Sequence, residues 1–242
     1  MNNPNKAKVM FELSGEPMID YVIRQAEALN PLKIAVVVGF QKESVMDHLD
    51  TAFSGLRAQT TLNYAHQNQQ LGTGHAVMQA ESVLKGFAGD VLILSGDVPL
   101  LRAETLQEFS RFHSTSNNAV SVLSVEQPNP TGYGRIVRSQ NGDFERIVEH
   151  KDANETERAI TEINSGIYLV HADALFHALR SVSNANVQGE YYLTDIVSIL
   201  RAEGKRVAAW KCAAFEEVQG VNTIEQLEEA QRVLDEQHAA VA

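Results

Sequence analysis

Leu92-Ile93-Leu94-Ser95-Gly96-Asp97-Val98-Pro99-Leu100 is the stretch on which the fold class turns. Asp90-Val91-Leu92-Ile93-Leu94 has the continuous apolar character of a buried strand, and the turn residues that follow it present a carboxylate. In open α/β sheets, ligands bind at the carboxyl edge of the strands. A hard oxygen there suits Mg²⁺ held jointly by protein and phosphates. The same placement suits an Asp that merely caps a loop or the next helix.

Moving outward, Leu32–Val38 and Ala119–Leu123 repeat the apolar texture. Such runs suit strands covered on both faces of a parallel sheet. Amphipathic helices are expected between them. Ile19, Val22, Ile23 and Ala26 recur at helical spacing behind Pro17, a plausible first helical residue. Ala76, Ala80, Val83 and Leu84 make a second stripe, and Leu106 and Phe109 begin a third. The order reads as α/β with a mostly parallel central sheet. After about Gln127 the pattern changes. Asn141-Gly142 between two β-prone runs predicts a hairpin, and Glu162–Val170 predicts another strand. A final helix is expected from about Thr223, with Thr223 and Gln226 as a capping box. The expected organisation is one domain over 1–242, with a nucleotide-binding half (1–126), a mixed α+β sugar-binding half (127–222) and a C-terminal helix (223–242).

The chain has 242 residues, 44% hydrophobic and 21% charged, with a formal net charge of -11. That is ordinary globular composition. The acidic balance and the lack of a Lys/Arg run argue against a nucleic-acid partner. One cysteine, Cys212, excludes an internal disulfide and a cysteine-based zinc site. The first eleven residues carry no secretory apolar core, and no run is long enough to span a bilayer. A cytoplasmic location is expected, with no membrane contact.

Further motifs could carry chemistry. Gln67-Asn68-Gln69-Gln70-Leu71-Gly72-Thr73-Gly74-His75 puts two glycines at a helix start, where backbone N–H groups attract polar ligand edges and a flat base can approach closely. A plain tight turn explains Gly-Thr-Gly equally well. Thr131-Gly132-Tyr133-Gly134-Arg135, Glu149-His150-Lys151-Asp152, Glu162-Ile163-Asn164-Ser165-Gly166 and Gly189-Glu190-Tyr191-Tyr192-Leu193-Thr194-Asp195 place small and polar groups where a sugar could be hydrogen-bonded, or else form turns and solvated loops. Asn222, in Val218-Gln219-Gly220-Val221-Asn222, could be a metal ligand or a simple N-cap.

Taken in order, L-S-G-D-V-P-L-L, Q-L-G-T-G-H-A, P-T-G-Y-G-R-I, V-E-H-K-D-A, E-I-N-S-G-I, G-E-Y-Y-L-T-D-I and V-Q-G-V-N resemble the uridylyltransferase domain of GlmU-type enzymes, from about Lys8 to the end. The resemblance implies a Rossmann-like nucleotidyltransferase fold. It implies Mg²⁺-dependent transfer of a uridylyl group from UTP to N-acetylglucosamine 1-phosphate, releasing pyrophosphate and giving a cell-wall precursor. By that resemblance Lys8 meets the nucleotide phosphates, and Gln67, Gly72 and Thr73 read the uracil. Ser95, Gly96 and Asp97 line the nucleotide site, with Ser95 where the family usually has Tyr. Asp97 and Asn222 are the two protein ligands of Mg²⁺, and Lys8 and Asp97 are the catalytic pair. Gly134, Glu149 and Asn164 contact the sugar. Gln219 replaces a usual Glu.

The family's opening loop, L-A-A-G-x-G-T-R-M, does not occur in the 242 residues, and Met1 stands at about the place of its last residue. No hexapeptide-repeat acetyltransferase segment follows, so a monomer is expected. The expectation is a chain less active and less stable than one carrying the loop and its strand. Two alternatives stand beside the enzyme: a nucleotide-sugar-binding remnant without catalysis, and a nucleotidyltransferase for another sugar 1-phosphate.

Overall fold

The structure is a computed structural model that describes residues 3–57 and 59–241. Met1, the position matched to the end of the family's loop, lies outside the described residues. The chain divides into two compact units. One comprises Met1–His66, Leu94–Gln107 and Glu216–Ala242; the other comprises Gln67–Ile93 and Glu108–Phe215.

In chain order the strands are β1 (Glu12–Leu13), β2 (Glu16–Pro17), β3 (Lys33–Val38), β4 (Thr61–His66), β5 (Asp90–Ile93), β6 (Val120–Glu126), β7 (Arg135–Arg138), β8 (Phe144–Val148), β9 (Glu162–His171) and β10 (Val207–Cys212). The helices are α1 (Met18–Ala28), α2 (Lys42–Ala52), α3 (Thr73–Gln79), α4 (Ala103–Thr115), α5 (Glu155–Arg158), α6 (Ala172–Leu179), α7 (Asp195–Ala202) and α8 (Ile224–Val241). Among the described residues no helix is long and apolar enough to cross a membrane.

In the first unit, β3 and β4 pair in parallel. The inward residues of β3, Ile34, Val36 and Val38, pack with Ile19 and Ile23 of α1 and Val45 and Leu49 of α2. Burying each such side chain stabilises by about 1.5–3 kcal/mol. A second cluster joins Leu13, Met18, Leu100, Val221, Ala230 and Leu234. Its members Leu100 and Val221 lie in the two segments that carry Asp97 and Asn222, so this core sets where those side chains start.

In the second unit, one path of the sheet runs β10-β6-β9-β7-β8, and β5 pairs separately with β9. The α/β expectation holds, but the sheet is mixed where a mostly parallel one is expected. Only β10 and β6 are parallel within it; β9 runs antiparallel to β5, β6 and β7. An apolar run reports burial and carries no information on strand direction, which is why the sequence pattern misleads here. Burial itself also differs among the runs. β6, paired on both sides, is buried from Val120 to Val125, whereas β3 alternates buried and half-buried residues.

Other expectations shift by small amounts. Pro17 is the residue before α1 and pairs with Glu12, so the helix begins one residue later. The second stripe outruns its helix: α3 ends at Gln79, and the chain tightens there into turns such as Ala80 N–H to Val77 O at 3.0 Å. The β7–β8 hairpin forms, with Gly142 at φ +85° in its loop. The capping box of α8 forms too: Gln226 N donates to Thr223 Oγ1 at 3.2 Å and Thr223 N to Gln226 Oε1 at 3.1 Å.

Candidate functional site

In the first unit, Ser95 O accepts from Val98 N at 3.2 Å, closing a tight turn around Gly96 and Asp97. A Cβ on Gly96 would lie 2.9 Å from Ile19 Cδ1 and 3.2 Å from a Val9 methyl. Glycine therefore lets this turn sit down on α1 and the segment after Lys8. The Asp97 carbonyl accepts from Val221 N at 2.8 Å, which fixes the Asp97 segment to the Asn222 segment through the backbone.

Lys8 completes the group. Its ammonium donates to Asp97 Oδ2 and, at 2.8 Å, to Asn222 Oδ1. A carboxylate and an amide oxygen from distant segments thus face one cationic point. Asn222 is not the N-cap of α8; Thr223 and Gln226 do that work, and Gln226 Oε1 also takes the Asn222 backbone N–H at 2.7 Å. The Asn222 side chain instead donates through Nδ2 to Gly220 O at 3.3 Å and turns its oxygen to Lys8.

The donor set fits a divalent metal of the Mg²⁺ type. Mg²⁺ prefers oxygen ligands and is commonly held by one or two protein groups, with water and phosphate completing its shell. Here the two oxygens already share a cation, the Lys8 ammonium. Among the described residues no group of three or more His, Cys, Asp or Glu is placed to hold a metal ion. Also in the first unit, Glu217, buried at 4% exposure, accepts from Arg102 and, at 2.5 Å, from Thr105 Oγ1. Glu217 escaped the sequence reading because nothing in Glu216-Glu217-Val218-Gln219 says which acid turns inward.

The second unit gathers the remaining candidates. The loop before α3 docks on residues 190–193. Tyr191 N donates to Leu71 O and Gly74 N to Tyr191 O, both at 2.8 Å. Leu193 N donates to Thr73 Oγ1 at 3.2 Å. A Cβ on Gly72 would lie 2.7 Å from Tyr191 O, and one on Gly74 would lie 2.8 Å from it. The two glycines are thus required by a protein backbone that lies against them. Gln67 Nε2 meets Gly72 O at 3.2 Å and His75 Nδ1 at 3.1 Å.

The docked segment continues to Thr194, whose hydroxyl donates to Glu149 Oε1 at 3.1 Å. Glu149 follows β8 directly. Burial raises its pKa, with Asp152, Asp195 and Glu190 adding repulsion against the Thr194 hydrogen bond. Burial and Asp152 raise Asp195 as well, and Tyr192, hydrogen-bonded to Asp152 at 3.2 Å, is pushed up to about 12, mostly by burial. Gly134 O accepts from Asn164 N at 2.9 Å, and a Cβ on Gly134 would lie 3.5 Å from Asn164 Cβ and 3.6 Å from Glu149 Oε1. Gly134, Glu149 and Asn164 therefore share one place, with a bare backbone facing a half-buried acid and an amide. Thr194 lies in a motif singled out from the sequence, but its tie to Glu149 becomes visible only in three dimensions.

The comparisons with known proteins bear on this geometry. A family model described as nucleotidyl transferase matches residues 4–231. The bifunctional protein GlmU of Oceanobacillus iheyensis is 44% identical over 235 residues, which is 96% of this chain and 50% of that protein. The bifunctional protein GlmU of Levilactobacillus brevis is 46% identical over 227 residues, 94% of this chain and 48% of that protein. The chain thus spans about half the length of the curated relatives it matches. A crystal structure of UDP-glucose pyrophosphorylase complexed with UDP-glucose superposes with a TM-score of 0.75 at 18% identity, covering 95% of this chain and 90% of that one, which shows a shared fold.

Proposed function

This chain belongs to the nucleotidyl transferase family, and we propose that it transfers a uridylyl group from UTP to N-acetylglucosamine 1-phosphate, forming UDP-N-acetylglucosamine and pyrophosphate. The observation that carries this reading is the meeting of Lys8, Asp97 and Asn222 at one cationic point. The order of the sequence motifs and the 44–46% identity to GlmU proteins support the choice of substrates.

A phosphate oxygen of the sugar phosphate attacks the α-phosphorus of UTP in line, and pyrophosphate leaves. Such chemistry is largely positioning and charge stabilisation. Lys8 meets the nucleotide phosphates as a point charge. Asp97 and Asn222 would hold the divalent cation, which when bound supplies charge neutralisation on the phosphates. Gln67, Gly72 and Thr73 present amide, backbone and hydroxyl groups to the uracil, and Ser95 and Gly96 flank the phosphate-side residues. Gly134, Glu149 and Asn164 take the sugar. Nucleotide contacts come from 1–126 and sugar contacts from 127–222, with 223–242 as a closing helix. The metal is read as Mg²⁺, the setting as cytoplasmic synthesis of a cell-wall precursor, and the form as a monomer.

A panel of nucleoside triphosphates and sugar 1-phosphates, read by pyrophosphate release, tests the assignment. UTP with N-acetylglucosamine 1-phosphate is the expected best pair. A clear preference for glucose 1-phosphate or dTTP would overturn the substrate choice. Tight binding of UDP-N-acetylglucosamine without turnover would point to a binding module.

A further inference from the structure

β9 is interrupted at the point where it carries Asn164. On β6, Ser124 pairs with Asn164 and Val122 with Tyr168, so Ser165, Gly166 and Ile167 stand opposite Leu123 alone. Gly166 takes φ +83°, a conformation that favours glycine. Ser165 Oγ donates to the Leu123 carbonyl at 2.7 Å and accepts from Ile167 N at 3.2 Å, so the bulge satisfies its own backbone. Bulges of this kind re-aim a side chain beside a site.

The consequence falls on Asn164. In an unbroken strand, residues four apart are separated by about 13 Å along the chain. Across this bulge Asn164 Nδ2 donates to the Tyr168 hydroxyl at 2.8 Å. Asn164 Oδ1 accepts from Gly166 N at 3.0 Å. The amide is therefore held at both ends, and its oxygen and nitrogen cannot exchange places without setting one N–H against another. An Asn side chain has two donor hydrogens and two acceptor lone pairs. One of each is used here, which leaves one N–H and one lone pair for a ligand.

We propose that Tyr168 is a positioning residue for the sugar pocket, acting through Asn164. This rests on the assignment of Asn164 to the sugar under the proposed function. Tyr168 is 1% exposed, so its hydroxyl is out of reach of a ligand. Burial and the nearby Glu149 charge raise its pKa, which keeps it a neutral phenol able to accept the amide N–H. Removing the hydroxyl leaves a donor of Asn164 unpaired and the amide held at its oxygen end alone, by Gly166 N, so the sugar meets a less fixed partner.

The test is calorimetry with UDP-N-acetylglucosamine and, separately, UTP on the wild type, Tyr168→Phe, Asn164→Ala and the double variant, with thermal melts alongside. Tyr168→Phe should weaken UDP-N-acetylglucosamine about 10-fold, the size of a lost hydrogen-bond partner, and leave UTP within about 2-fold. The double variant should bind no worse than Asn164→Ala alone, because the hydroxyl has nothing left to position. Equal weakening of both ligands, a full additional loss in the double variant, or unchanged binding by Tyr168→Phe while Asn164→Ala weakens it would each overturn the proposal and leave the assigned function standing. If the wild type binds UTP but no UDP-N-acetylglucosamine, the sugar assignment fails and the proposal falls with it.

Discussion

The first unit holds its candidate ligand groups by charge, and the second holds its own by hydrogen bonds and bare backbone. Lys8, 89 residues from Asp97 and 214 from Asn222, binds both through its ammonium. Remove that cation and a carboxylate and an amide oxygen face each other unpaired. In the second unit Glu149 meets the hydroxyl of Thr194, Asn164 meets Tyr168 and Gly166, and Gly134 adds no side chain. Burial, and after it the neighbouring carboxylates, raise Glu149 and Asp195 there. A charge-built cluster suits phosphates and a metal, where strong fields act on a compact charge. A pocket of fixed donors and acceptors suits a neutral, hydroxyl-rich group, where direction decides affinity.

The largest expected effect comes from breaking the charge-built side. Asp97→Asn should cut pyrophosphate release at least about 1000-fold, since the variant loses the one carboxylate of the proposed metal set. Its thermal melt should stay close to the wild type. Binding of UDP-N-acetylglucosamine should fall far less than turnover. Activity at the wild-type level with unchanged Mg²⁺ dependence would make Asp97 a structural residue and erase the contrast between the units.

An intermediate effect is expected from Gly74→Ala. The new Cβ would lie 2.8 Å from Tyr191 O and 3.1 Å from the Tyr192 carbonyl carbon, and neither is a side chain that can swing away. Overpacking of this kind costs about 1–3 kcal/mol, several degrees of melting temperature. Displacing residues 191–193 should also loosen Thr194 from Glu149 and weaken the nucleotide sugar. Gly55→Ala is the control, because nothing lies within 4 Å of its built Cβ. Equal melting of the two variants would show that residues 190–193 are not docked on the loop.

The smallest effect is a trade of stability against binding at Glu149. Its pKa is raised in the folded protein, so the folded state binds its proton more tightly than the unfolded chain. The associated stability is present below the ordinary Glu pKa of about 4.3 and is lost as pH rises through the raised value. Glu149→Gln keeps an acceptor for Thr194 and removes the titration. Urea melts should find it more stable than the wild type near neutral pH and no more stable near pH 4. Its affinity for UDP-N-acetylglucosamine should drop in the same samples. A variant no more stable at neutral pH would mean that the acid is adequately solvated or paired.

Much of this was legible in one dimension. The apolar runs located β3, β5 and β6, Asn141-Gly142 located a hairpin, and Thr223 with Gln226 located the start of α8. Strand direction was not legible, because both faces of a buried strand are apolar whichever way it runs. Gly72, Thr73 and Gly74 read as a loop suited to a flat ligand, yet the two glycines lie against the Tyr191 backbone and Thr73 accepts from Leu193 N, 120 residues on. No local pattern encodes that contact.

By itself the sequence determined the α/β class, the position of Asp97 just beyond a strand, and the set of polar residues available for chemistry. Those depend on hydrophobic period, turn chemistry and residue type, all of which act over a few neighbours. The tertiary structure alone decided that Asn222 turns to Lys8 while Thr223 caps the helix, that Thr194 reaches Glu149, and that a bulge in β9 brings the Tyr168 hydroxyl to Asn164. Each of these is a hydrogen bond of about 3 Å. Its partners are chosen by how the backbone folds back on itself, a distance that spacing along the chain does not carry.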